Sequence, residues 1–357
     1  MQRLLSAAIF IGFVVLVEHY FGWVRLLAPW QTLSVGQILG AVGLALVSYW
    51  TRAMRLYDYF RPPRMATVPA HPAPTALVHP CTAEMPKMHD SMDGGGRALP
   101  GANAEERFSG HHNIQHAFSL CFKVTLQHNL LNNLLPMRAG EISFPVLMMR
   151  HFAIPMVRSV PALFWFRLLD LHTLGACAFF AAIGLRAAPA SLEGEILWLI
   201  LLLIWMLLPL LLFWGQARWQ ITLQKKNSTG RFHELLQKIL GSLPQTPSDF
   251  WRAWAWTVIT WIVKLGIFAW VLMLFVNIAP TAALMGAIAG DLTSVLPVHG
   301  VAGMGTYEAG VVAGLLPYDV TPQNAFPAAV NLHLFLLAST LIGGGISLFI
   351  GNKNARE

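Results

Sequence analysis

Eight apolar runs, around residues 4–21, 33–51, 113–135, 159–185, 194–214, 253–277, 281–316 and 327–350, constrain this chain more than any other feature. Each is long enough to cross or deeply enter a hydrocarbon core about 30 Å thick. Only 11% of the 357 residues are charged while 55% are hydrophobic, about half the charged fraction of a soluble domain. The chain therefore reads as an all-α integral membrane protein, with a single polytopic membrane domain over 1–350 and a cytoplasmic tail at 351–357.

The net charge of +7 would suggest nucleic acid in a soluble protein. Here the basic residues gather at the ends of apolar runs, where membrane topology selects them, and no nucleic-acid partner is expected. Arg52, Arg55, Arg61 and Arg64 follow the second run, and Arg218, Lys225, Lys226, Arg231 and Lys238 follow the fifth. Both flanks are predicted to be cytoplasmic, as is the C-terminus with Lys353 and Arg356. Met1 to Val17 resembles a signal sequence, but no small-x-small cleavage pattern follows and Glu18-His19-Tyr20 comes next. It reads as a retained first span, so both termini are expected in the cytoplasm.

Two runs are punctuated by a Leu-Pro step followed by Gly and charge: Leu135-Pro136-Met137-Arg138-Ala139-Gly140-Glu141 and Leu296-Pro297-Val298-His299-Gly300. Proline removes a backbone donor, so each helix is predicted to end or kink there. Taken as re-entrant, broken helix hairpins, they leave six full spans. The halves, 1–187 and 190–350, then carry the same order of elements with opposite starting sides, an inverted-topology repeat. A competing count makes residues 142–157 a crossing in its own right. Residues 61–112, rich in Pro, His, Gly and Ala, are expected to form a mobile cytoplasmic loop. Residues 215–250 read as an amphipathic cytoplasmic connector, lying on an anionic leaflet or packed on the protein, because Phe232, Leu235, Leu236, Ile239 and Leu240 recur at helical spacing.

An ionisable side chain inside a membrane span costs roughly 2.5 to 3.5 kcal/mol on insertion scales, so those present face protein or water. In the first hairpin Asn132 and Asn133 precede Pro136, and Arg138 and Glu141 follow it. A half-helix starting there would set a positive dipole end beside Arg138, suited to a phosphate or carboxylate; the plainer reading has Arg138 snorkelling to headgroups and Glu141 capping. The second hairpin offers Asp291, His299 and, beyond a glycine-rich break, Glu308. Arg167 and Asp170 share a helix face and can pair with each other. Lys264 sits mid-span without an acidic neighbour in its own turn and needs a partner from elsewhere: Asp291, Glu308 or the substrate itself. Asn331 and His333 read as bonds between neighbouring helices.

No GxSxG, HExxH or P-loop occurs. Cys81, Cys121 and Cys177 are too scattered for a zinc site or disulfide framework, and the loop histidines lack ligand spacing. Neither a catalytic residue, a metal nor a cofactor is expected.

The stretches Asn132 to Glu141, Arg167-Leu168-Leu169-Asp170, and Leu296-Pro297 through Gly303, Gly305 and Glu308 resemble the flippase-like membrane family named for the transmembrane region of lysylphosphatidylglycerol synthase. The resemblance covers most of the chain from residue 113 onward. It implies movement of a lipid between leaflets, with roles for Arg138, Glu141, Arg167, Asp170 and Glu308. His299 before Gly300 departs from the family pattern, and the loop at 61–112 looks like an insertion. No soluble synthase segment follows the last span, so aminoacyl transfer is not implied.

The expectation is a translocase in a bacterial inner membrane that carries an anionic phospholipid or lipid-linked intermediate, bound by Asn132, Asn133, Arg138, Glu141, Arg167, Asp170, Lys264, Asp291, His299 and Glu308. A membrane-embedded transferase acting on a lipid-linked substrate and a membrane scaffold for a partner lipid synthase are the alternatives.

Overall fold

The computed structural model describes residues 15, 17–20, 22–60, 114–135, 140–184, 192–225, 231–293 and 301–350. Most of the expected first span, the loop at 61–112, both Leu-Pro prolines, Arg138, His299 and the C-terminal tail lie outside the described residues. Every regular element described is helical: α1 Trp23–Leu27, α2 Val35–Phe60, α3 Ile114–Leu134, α4 Ser143–Phe152, α5 Met156–Gly184, α6 Leu192–Lys225, α7 Arg231–Gly241, α8 Pro247–Phe275, α9 Pro280–Thr293, α10 Thr306–Leu315 and α11 Pro322–Phe349.

The starts of these helices follow local chemistry. At α2, Ser34 Oγ accepts from Gln37 N at 3.2 Å while Gln37 Oε1 accepts from Ser34 N at 2.8 Å, a reciprocal cap. Helices α8, α9 and α11 each open on a proline, whose missing N–H costs nothing in a first turn. At α8, Thr246 Oγ1 also accepts from Asp249 N at 3.1 Å.

Four described helices are long and apolar enough to cross a membrane: Met156–Phe180, Ile196–Gln216, Pro247–Phe275 and Pro322–Phe349. A fifth is counted if Trp23–Thr32 and α2, bent by 97°, act as one span. Within α6 only 6% of the apolar window is buried, against 39–44% in the other three. With Leu199, Leu203, Ile204 and Leu211 all exposed, it is apolar on every side and stands at the rim of the bundle.

Helices α4, α9 and α10 have 10, 14 and 10 residues. At 1.5 Å per residue they are about 15, 21 and 15 Å long, short of a bilayer core of about 30 Å. Helix α4, within residues 142–157, is therefore too short to cross by itself. Helix α4 ends where Ala153 turns left-handed (φ 55°), and Pro155 separates it from α5. Helix α3 stops at Leu134, just before the first Leu-Pro step, as proline chemistry requires.

Helix α2 runs against α8, with Thr260 Oγ1 donating to Thr51 Oγ1 at 3.0 Å and Arg55 Nη1 to Thr257 Oγ1 at 3.0 Å. Around this pair α3 packs on α2 and α9 on α8, α3 lies along α11 and α9 along α5, while α4 rests on α5 and α10 on α11. One apolar cluster, including Leu272, Ile288, Leu315 and Leu332, binds α8 to α11; another, including Phe144, Phe152, Phe166 and Phe250, binds α3, α4 and α5 to the start of α8. The connector forms α7, with Ile239 and Leu240 half-buried and Leu235 exposed. It is tied to α6 and α2 by Gln216 Nε2 donating to Pro244 O and Tyr59 OH to Ser242 O, at 2.6 and 2.8 Å.

The α9–α10 pair is close because of its glycines. A Cβ on Gly314 would stand 2.7 Å from Ala289 Cβ, 2.8 Å from Met285 O and 3.0 Å from Gly286 Cα. Gly314→Val is expected to cost about 1–3 kcal/mol by overpacking, whereas Gly215→Ala, with nothing within 4 Å, should be neutral. Thermal unfolding of the purified variants in detergent checks both.

Candidate functional site

A cavity of about 460 Å³ lies between α2, α3, α5, α8, α9 and α11. Its wall mixes charge with apolar surface. Asn132, Asn133, Glu141, Arg167, Asp170, Lys264 and Asp291, all singled out in the sequence, line it, and so do Arg52, Asn129 and His333, which were not assigned to it.

The charged groups are largely paired. Arg55 Nη1 stands 2.6 Å from Asp170 Oδ1, with side chains only 9% and 13% exposed, and Trp261 Nε1 donates to the same oxygen at 3.1 Å. Arg55 also lies 4.6 Å over the Phe166 ring, a favourable seat for a guanidinium. Arg167 meets Glu141 at 2.8 Å and Asp170 at 3.6 Å. The pair expected within α5 thus exists, but Asp170 is held more closely by Arg55 of α2. Lys264 Nζ reaches Asp291 at 2.8 Å and sits 4.8 and 5.0 Å over the Trp261 and Phe268 rings. Asp291, not Glu308, is the partner this mid-span lysine needed.

Glu308 is buried one shell behind the cavity wall. Its Oε1 is 2.7 Å from His333 Nδ1, its Oε2 accepts from Gly305 N at 2.7 Å, and His333 Nε2 is 2.9 Å from Ala302 O. A carbonyl only accepts, so Nε2 carries a hydrogen. The Nδ1–Oε1 contact then needs one proton between two acceptors, and the pair is neutral overall. It holds the segment where Ala302 (φ 57°), Gly303 (φ 81°) and Gly305 (φ 87°) take left-handed conformations before α10. Asn133 Nδ2 donates to Thr340 Oγ1 at 2.9 Å, joining α3 to α11. Asn331 bonds Trp30 Nε1, Leu26 O and Pro327 O, as expected of a helix-joining amide.

Sequence reading placed Arg52 and Arg55 in a topology-setting basic flank, and His333 among simple interhelix bonds. A signal for the first two was present: three apart, they share a helical face, and apolar Leu56, Tyr57, Tyr59 and Phe60 carry that helix onward. Among the described residues no group of three or more His, Cys, Asp or Glu side chains comes together to hold a metal.

Long apolar helices packed around a buried, charge-lined cavity define a multi-pass membrane protein with a polar site inside its bundle. The family model described as "Lysylphosphatidylglycerol synthase TM region" matches residues 111–344, roughly two thirds of the chain, and the chain belongs to that family. Membership ties its function to membrane lipids. No curated protein and no solved structure matches it.

Proposed function

We propose that this protein translocates an anionic phospholipid or lipid-linked intermediate between the leaflets of a bacterial inner membrane. The carrying observation is a cavity whose cations, Arg52, Arg167 and Lys264, share a wall with Val160 and Phe164, apolar side chains 49% and 68% exposed. A headgroup can meet charge there while its acyl chains stay against apolar surface, which avoids the many kcal/mol of burying an unpaired phosphate.

An inverted repeat, which this reading includes, is the arrangement that alternating access uses. Exchanging α2 with α8, the α3–α4 hairpin with α9–α10, and α5 with α11 turns the α3–α11 contact into the α9–α5 contact and the α2–α3 contact into the α8–α9 contact. Each half also sets the carboxylate that follows its broken hairpin against a base on the next long helix, Glu141 on Arg167 and Glu308 on His333. In this reading there are six spans, residues 4–21 being the first, the two hairpins are re-entrant gates, and both termini are cytoplasmic.

Reconstitution into liposomes with labelled phosphatidylglycerol tests the proposal. Leaflet exchange is expected to exceed that of empty vesicles, and Lys264→Met, which strips the cavity of one cation and leaves Asp291 unbalanced, should slow it at least about tenfold, more than 1.4 kcal/mol on the barrier. No acceleration by wild type overturns the translocase reading, and product formed from an added donor would favour a transferase.

A further inference from the structure

Four basic side chains converge on the cavity region, and three of them end on a carboxylate: Arg55 on Asp170, Arg167 on Glu141 and Lys264 on Asp291. Arg52 does not. Among the described residues its polar contact is Nη1 donating to Asn129 Oδ1 at 3.3 Å, and it forms no ion pair. It is half-buried and lines the cavity, one turn from Arg55 on a helix enclosed by α3 and α8. Asp170 cannot serve it in full, because Arg55 takes both of that carboxylate's oxygens, at 2.6 and 3.5 Å. The three pairs cancel and the Glu308–His333 pair is neutral, so the described groups around the cavity leave one positive charge, on Arg52.

We infer that Arg52 is the principal ligand of a single phosphodiester, oriented by Asn129, and that the site selects a headgroup with one net negative charge. A guanidinium presents a planar fork that matches two phosphate oxygens. Asn129 accepts from Nη1 and so fixes the fork's direction, and Asn132 beside it on the wall offers an amide to headgroup oxygens. A zwitterionic headgroup is disfavoured, because its ammonium would find each lining carboxylate already facing a cation. For a lipid ligand this inference rests on the translocase reading; its chemistry, one phosphodiester, also fits a soluble glycerophosphodiester.

The test uses the full chain purified in detergent, with short-chain phosphatidylglycerol, short-chain phosphatidylethanolamine and the soluble diester glycerophosphoglycerol as titrants, followed by the leaflet-exchange assay. Wild type should bind the phosphatidylglycerol at least about tenfold more tightly than the phosphatidylethanolamine. Arg52→Gln should lose both that affinity and that preference, and Arg52→Lys, a point charge without the fork, should fall between. Arg52→Gln should also melt at or above the wild-type temperature, since it removes an unpaired cation; a lower melting point would mark Arg52 as structural and overturn the inference. Equal binding by wild type and Arg52→Gln, or equal binding of the zwitterion, overturns it as well. Arg52-dependent binding without leaflet exchange leaves the inference standing and removes the translocase reading, with glycerophosphoglycerol binding then marking a soluble diester as the ligand. Leaflet exchange indifferent to Arg52 does the reverse.

Discussion

Asp170→Asn is expected to destabilise the protein by about 3–5 kcal/mol, the usual cost of breaking a buried ion pair from one side. Asp170 sits at the centre of the cationic cluster, with Arg55 at 2.6 Å, Arg167 at 3.6 Å and the Trp261 indole at 3.1 Å. An asparagine keeps the shape and part of the hydrogen bonding but removes the counter-charge. Arg55, 9% exposed, is then left without an anion and still faces its neighbours Arg52 and Arg167. Arg55→Met combined with Asp170→Asn should recover much of the loss, because no uncompensated charge remains and methionine fills the space beside Phe166. A double-mutant cycle on melting in detergent isolates the coupling. If Asp170→Asn alone stays within about 0.5 kcal/mol of wild type, near the limit for an innocuous surface change, the pair does not hold the bundle.

Glu308→Ala is expected to cost about 2–4 kcal/mol, since it orphans the buried His333 Nδ1, at about 1–3 kcal/mol, and the half-buried Gly305 N–H, at about 1 kcal/mol. Glu308→Gln should cost less than about 1 kcal/mol, the scale of an ordinary exchanged hydrogen bond. Its amide oxygen can accept from Gly305 N, its NH2 can donate to a neutral His333 Nδ1, and His333 Nε2–H keeps its bond to Ala302 O. Melting temperatures and hydrogen exchange at the Gly305 amide distinguish the two variants. The Ala variant should lose protection there, and the Gln variant should keep it. A glutamine as damaging as alanine would mean that the negative charge itself, not the bonding pattern, maintains this turn. Because Glu308→Gln leaves the fold intact, its effect on leaflet exchange reads directly on whether the shared proton takes part in the cycle.

These two clusters also show why part of the site escaped one-dimensional reading. Lys264 announced itself, because an isolated lysine amid apolar residues must be paired, and only a few carboxylates were on offer. Arg52 and Arg55 were hidden by their company. They open a run that continues with Arg61 and Arg64, the pattern topology alone produces, and although apolar residues carry the helix on to Phe60, nothing along the chain says that α3 and α8 pack around it. His333 was hidden by distance, since the carboxylate that gives it meaning lies 25 positions earlier on another helix.

By itself the sequence determined the membrane setting, the helical elements, the stop of α3 at its Leu-Pro step and the list of charges that must find partners, because each of these follows from the cost of exposing a polar group to hydrocarbon, a cost counted residue by residue. Which charge meets which was decided only by the tertiary structure. The choice of Arg55 over Arg167 for Asp170, of Asp291 for Lys264, and of no carboxylate at all for Arg52 depends on how the packing brings side chains of α2, α5, α8 and α9 together, and ion pairing falls off over a few ångströms that no spacing along the chain records.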